Sequence, residues 1–113
     1  MIVKFKAYIT LLDKIVDVEK IDFRKQVLSF NDERRFHQLE WFLDDCVLLQ
    51  FTGVEDTFHK REVYNGDIYR QWYYPDHEDY TVEFEGGGFF LGDDLLIDVN
   101  WSKYEYIGNR FKN

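Results

Sequence analysis

Asp76-His77-Glu78-Asp79 sets three carboxylates beside an imidazole, and such side chains can hold a cation. Their spacing fits neither a calcium-binding helix–loop–helix nor a zinc motif, so a solvated loop is the better reading. Asn65-Gly66-Asp67 puts a carboxylate directly after a glycine. A catalytic use competes there with a structural one, in which Gly66 supplies the turn and Asp67 accepts a backbone N–H where the next strand begins. The structural reading is preferred. Gly86-Gly87-Gly88 would need a Lys and a Ser or Thr opening a helix to cradle phosphate. Phe89-Phe90-Leu91 follows instead, which makes the glycines a hairpin turn. His37, His59 and Cys46 stand apart, and nothing in the sequence groups them. The adjacent pairs Asp44-Asp45 and Asp93-Asp94 would diverge on a strand and read as solvated turns or edges. No serine or cysteine nucleophile motif appears. The chain is therefore expected to hold no catalytic constellation, metal, nucleotide or other cofactor.

Gln71-Trp72-Tyr73-Tyr74 is the remaining candidate. On a strand Trp72 and Tyr74 share one face while Gln71 and Tyr73 share the other, and burying both faces is difficult. An exposed aromatic patch is expected at Tyr73, with Tyr69 beside it, although core packing competes for the same rings. Tyr and Trp are enriched at protein interfaces, so Tyr69, Trp72, Tyr73 and Tyr74 are the candidate binding residues.

The elements around these residues read mainly as strands. Met1 to Thr10 alternates, with Val3, Phe5, Ala7 and Ile9 forming a uniformly apolar face. Ile15 to Phe23 alternates again, and after Arg24-Lys25-Gln26 the run Val27-Leu28-Ser29-Phe30 returns as a hairpin. Asn31 to Cys46 is ambiguous. Capped at Asn31 or Asp32, a helix would align Phe36, Leu39, Leu43 and Cys46, whereas a strand would align Leu39, Trp41 and Leu43; periodicity slightly favours the helix. Val47 to Phe51 reads as a buried strand and Glu55 to Glu62 as a charged connector. Asn65-Gly66 marks a turn into an aromatic strand, Ile68 to Tyr74. Pro75 to Asp79 reads as a polar loop. Tyr80 to Phe84 and Phe89 to Leu91 then flank the glycine turn. Leu95 to Asn100 is an apolar run, and Tyr104 to Ile107 a last strand.

Composition agrees with this reading and excludes several function classes. The chain has 113 residues, room for one domain over 1–113 with no visible linker or repeat. Aromatic residues make up 19%, which suits half-buried pleated surfaces. Acidic residues outnumber Lys and Arg by 22 to 14, for a net charge of −8. Phosphate backbones need clustered cations, so direct nucleic-acid binding is disfavoured, while basic proteins remain suitable partners. A single cysteine allows no internal disulfide. Neither a long apolar leader nor a membrane-length stretch is present, and a cytoplasmic location is expected.

Several short blocks resemble the YopX-like family of bacteriophage and prophage proteins, in that family's order and with similar spacings. They are Leu49-Gln50-Phe51-Thr52-Gly53-Val54, Glu62-Val63-Tyr64-Asn65-Gly66-Asp67-Ile68, Val82-Glu83-Phe84 with Gly88-Phe89-Phe90, and Tyr106-Ile107-Gly108-Asn109. The opening Val3-Lys4-Phe5-Lys6-Ala7-Tyr8 is similar too, while Arg24 to Cys46 is only weakly so. Asp56 to Arg61 departs from the pattern, lacking the Asn-Gly usual there. The resemblance implies a small β-barrel with an attached α+β portion, and it tips Asn31 to Cys46 towards extended structure. It implies no activity, because none is established for the family.

The expected fold is thus mainly β (a β-rich α+β class). A small, partly open barrel from the second half accompanies an N-terminal portion of strands with a short helix. Three functions are carried from different classes. The leading one is a non-catalytic protein-interaction module, a phage accessory factor with an unknown protein partner. The second is an acidic mimic of nucleic acid that blocks the basic groove of a host protein. The third is an enzyme or small-ligand binder with an unrecognised site. An exposed edge on a small barrel also invites self-association, so a homo-oligomer contacting through residues 69–74 is expected.

Overall fold

The computed structural model describes residues 4–32 and 37–112, and the chain divides into two compact units, one up to Gln50 and one from Phe51 onward. In the first unit β1 (Phe5–Ile9) lies antiparallel between β2 (Lys14–Asp17) and the opening of β6 (Cys46–Asp56), with Ala7 opposite both Val16 and Leu48. β3 (Lys20–Asp22), β4 (Val27–Asp32) and β5 (His37–Phe42) form a three-stranded meander. The apolar face of β1 delivers Ala7 and Ile9 to a core shared with Leu28 and Phe30, all fully buried. Val3 of that face lies outside the described residues.

The alternating run from Ile15 to Phe23 divides because it serves two sheets. The N–H of Val18 bonds to the carbonyl of Phe5 at 3.1 Å and that of Glu19 to Ser29 at 2.9 Å, so the chain changes partner between them. The β3–β4 turn is closed by Asp22, whose Oδ1 accepts the backbone N–H groups of Arg24 and Lys25. Residues 37–42 form a strand, and Leu43–Asp45 a single 3-10 turn, which corrects the helix favoured by periodicity and agrees with the extended structure implied by the family resemblance. Cross-strand packing decides the matter: Leu39 and Trp41 sit opposite Phe30 and Leu28. That pairing buries an i, i+2 set that a helix would scatter. Phe36, part of the expected helical stripe, lies outside the described residues. Among the described residues there is no α-helix, so the expected short helix is represented only by 3-10 turns.

In the second unit residues 51–56 of β6 pair with β7 (Arg61–Tyr64). β8 (Asp67–Tyr73), β9 (Asp76–Glu85), β10 (Gly88–Leu91), β11 (Asp94–Leu95) and β12 (Glu105–Asn109) form an antiparallel sheet in the order β11-β10-β9-β8-β12. This sheet curls into a half-barrel. Two 3-10 turns, Leu96–Asp98 and Trp101–Lys103, carry Leu96, Val99 and Trp101 into its hollow against Val63, Tyr69, Val82 and Leu91. The expected polar loop at Pro75 to Asp79 shrinks to Tyr74-Pro75, because β9 begins at Asp76. Charged residues persist in that strand because they find cross-strand partners there, Asp79 opposite Arg70 and His77 opposite Trp72.

Gly66 closes the turn between β7 and β8. Its φ of +89° is one that L side chains rarely adopt, and an added Cβ would lie 3.1 Å from the Asn109 amide nitrogen. The same residue bonds at 2.9 Å through its N–H to Val82 and through its carbonyl to Arg110, so the strain has no easy relief. Gly66→Ala is expected to lower stability by about 1–2 kcal/mol, read as a lower urea midpoint with an unchanged slope.

Candidate functional site

Two-residue alternation sorts the β8–β9 hairpin into two surfaces. Tyr69 points into the hollow and is fully buried, its ring 4.9 Å from that of Trp101 and 5.5 Å from that of Tyr106. It therefore forms no part of an exposed patch, which corrects the reading that set it beside Tyr73. The sequence could not distinguish these two, since they share a strand face; only the distance from the open end separates them. Tyr73, four residues on, has left the core and is 52% exposed. Its hydroxyl donates to Gln71 Oε1 at 2.7 Å. Tyr80 follows the same inward face, and its hydroxyl donates to Glu78 Oε2; that bond, with Tyr73 nearby, pushes the phenol well above its ordinary range.

The opposite, outer face carries Arg70 and Trp72 from β8 with His77 and Asp79 from β9. Trp72 stacks on Tyr74 with ring centroids 5.3 Å apart and planes within 14°, and His77 lies 4.9 Å from the indole. The indole N–H donates to Glu105 Oε2 at 2.8 Å. Arg70 grips Asp79 with two hydrogen bonds, 2.7 and 3.1 Å, while its guanidinium sits 5.4 Å from the Trp72 ring. This bidentate pair holds the Asp79 carboxyl below its ordinary range and raises the guanidinium. Tyr74 is 83% exposed, so one ring face of the stack is open. Further along β9 runs an open groove of about 300 Å³, lined by Asp79, Tyr80, Thr81, Glu83 and Glu85 with Phe90 and Gly92.

Behind this surface lies a polar network centred on Asp56, which is fully buried. Its Oδ1 accepts the backbone N–H groups of Phe58 and His59 at 3.1 and 2.9 Å. Its Oδ2 accepts His59 Nδ1 at 2.6 Å and the Tyr69 hydroxyl at 2.9 Å. Burial, the bond to Asp56 and its charge keep the Tyr69 phenol protonated far above the ordinary range. At the end of the same strand Asp67 accepts the Tyr64 N–H at 2.8 Å and the Asn109 side-chain amide at 3.1 Å. Arg61 reaches Asp67 at 3.3 Å and covers the Tyr106 ring, 3.4 Å from its centroid. Asp67 thus serves the turn, as expected.

His59, read as isolated along with His37 and Cys46, joins a network. An Asp three residues before His59, at a strand end, signals a side chain capping a turn; its partner Tyr69, thirteen positions on, leaves no local trace. An imidazole oriented by a carboxylate can act as a general base, yet no nucleophile hydrogen-bonds to His59 among the described contacts. The Asp76–Asp79 group cannot converge on a cation, because β9 turns His77 and Asp79 outward and Asp76 and Glu78 the other way. Among the described residues no group of three or more His, Cys, Asp or Glu could hold a metal. Asp44 and Asp45 end in a 3-10 turn, Asp93 is exposed beside β11, and Cys46 donates to the Phe42 carbonyl, burial pushing its thiol up. The His37 side chain lies outside the described residues.

No known protein family and no curated protein matches the chain. Among solved structures it is similar to the crystal structure of protein EF1440 from Enterococcus faecalis, at 18% identity and a TM-score of 0.66. The match covers 100% of this chain and 96% of that one, and it shows the fold.

Asp56→Asn would turn an amide N–H₂ towards donors, and a loss of about 2–3 kcal/mol is expected; Tyr69→Phe should lose about 1–2 kcal/mol. The Tyr69 contribution is complete below pH 10, where an unfolded tyrosine is still protonated, and is lost as pH rises beyond that. Urea midpoints measured from pH 8 to 11 should fall at the alkaline end. They should fall less steeply in Tyr69→Phe.

Proposed function

We propose that the chain is a non-catalytic protein-interaction module, a small accessory protein of the YopX-like phage and prophage type. Its contact surface is the tip of the β8–β9 hairpin. The observation carrying this reading is the exposed stack of Trp72 on Tyr74, with Tyr73 open on the other side. Large rings with few rotatable bonds lose little side-chain freedom on binding, which is one reason they are enriched at interface hot spots. Among the described residues no helix is long and apolar enough to cross a membrane, which is compatible with work in the host cytoplasm. A second reading, the acidic mimic of nucleic acid, is favoured by the row of carboxylates Asp79, Glu83 and Glu85 along β9.

The test is retention from host lysate on immobilised protein, wild type against Trp72→Ala/Tyr74→Ala. A protein held by the wild type should be lost by the variant, an effect of about thirtyfold or more in affinity if these rings are central. Identical retention by both would refute the reading, and displacement of the captured protein by DNA would favour the mimic. Self-association is proposed through Tyr73, whose side chain leaves the outer face free. Light scattering should give a mass above 13.8 kDa, and Tyr73→Lys should lower it; a strict monomer would end that proposal.

A further inference from the structure

The geometry points to a basic, extended segment of a partner protein as the occupant of the outer face of β8, β9 and β10. This rests on the reading of the chain as an interaction module and names the chemistry of its partner. Strand register puts His77, Asp79, Thr81, Glu83 and Glu85 in one row on that face. Their repeat of about 6.6 Å per two residues equals that of any extended peptide laid alongside. Arg70 shows what the face accepts, a guanidinium seated between a carboxylate and the Trp72 ring. The equivalent places further along are not filled. Among the described residues Glu85 has no ion-pair partner, and Glu83 meets only Arg110, at 3.6 Å between two exposed side chains. Phe90 in the groove offers apolar surface to the alkyl stem of one Arg or Lys, and Tyr74, at the His77 end of the row, offers an open ring to the charge of another.

The charge also selects among occupants. Nucleic acid would bring phosphates against these carboxylates. A second copy docked symmetrically by this face would set Glu83 and Glu85 against their own kind. A basic segment is attracted at long range by the chain's net charge of −8 and is matched locally by the row.

The probe is a fluorescent nine-residue peptide with Arg at alternate positions and Ser between, titrated with the full chain in about 0.1 M salt, where surface charge is not yet fully screened. Saturable binding is expected. Glu83→Gln/Glu85→Gln should weaken it about fivefold, and Tyr74→Ala about threefold. Asp44→Asn/Asp45→Asn removes the same charge from the other unit and should leave affinity unchanged. All substituted residues are exposed, and near-ultraviolet circular dichroism verifies that each variant is folded. Equal weakening by both double variants would mean attraction by net charge alone and would overturn the inference, as would no binding. If the peptide does not bind while Trp72→Ala/Tyr74→Ala still releases the lysate partner, the inference fails and the interaction module stands. If neither responds, both fail.

Discussion

A carboxylate with no access to water must have its lone pairs filled, or its burial costs several kcal/mol. Asp56 meets this demand with four donors drawn from three places: the turn after β6, the His59 ring and the Tyr69 hydroxyl of β8. The consequence is positional. With Tyr69 held inward, alternation sends Arg70 and Trp72 outward, and a slip of one residue would reverse every side chain of the strand. The outer face of the half-barrel is thus set by a bond made on the inner one.

A second anchor sits two residues before Tyr69, at the first residue of β8. Asp67 joins the Tyr64 backbone, the Asn109 amide and the Arg61 guanidinium, so β7, β8 and β12 meet at one buried carboxylate. Between the two anchors the core is aromatic, with Tyr69 packed on Trp101 and Tyr106. The 3-10 turns that bring Leu96 and Trp101 inward supply what a central helix supplies in larger barrels. The tip of the hairpin lies beyond both anchors, which is why Tyr73 and Tyr74 emerge from a strand whose earlier residues are core.

Local signals carried far where local forces decide. The alternation of Phe5, Ala7 and Ile9, the Asn65-Gly66 turn and the glycine turn at Gly86-Gly87 depend on neighbours in the chain, and all were legible. The strand at residues 37–42 was not legible in periodicity, because its partner Phe30 outweighs a helical period that is equally present in the residues; only the family resemblance tips that stretch towards extended structure. Pro75 to Asp79 looked like loop for a related reason: Asp79 is paired across the hairpin with Arg70, and His77 lies against Trp72 there. The candidate site was legible as an aromatic strand. The depth of each ring was not, since Tyr69 and Tyr73 differ only in distance from Asp56 and Trp101. The groove along β9 needs the β10 register to bring Phe90 opposite Glu83, a pairing that the glycine turn permits without specifying.

The most direct measurement follows the tryptophan indole N–H signals by NMR as the alternating-arginine peptide is added. The chain has three such groups: Trp72 on the outer face, Trp101 in the half-barrel core and Trp41 in the other unit. The Trp72 signal should move saturably while those of Trp101 and Trp41 stay in place. A shift of Trp41 or Trp101 with Trp72 unmoved would contradict this.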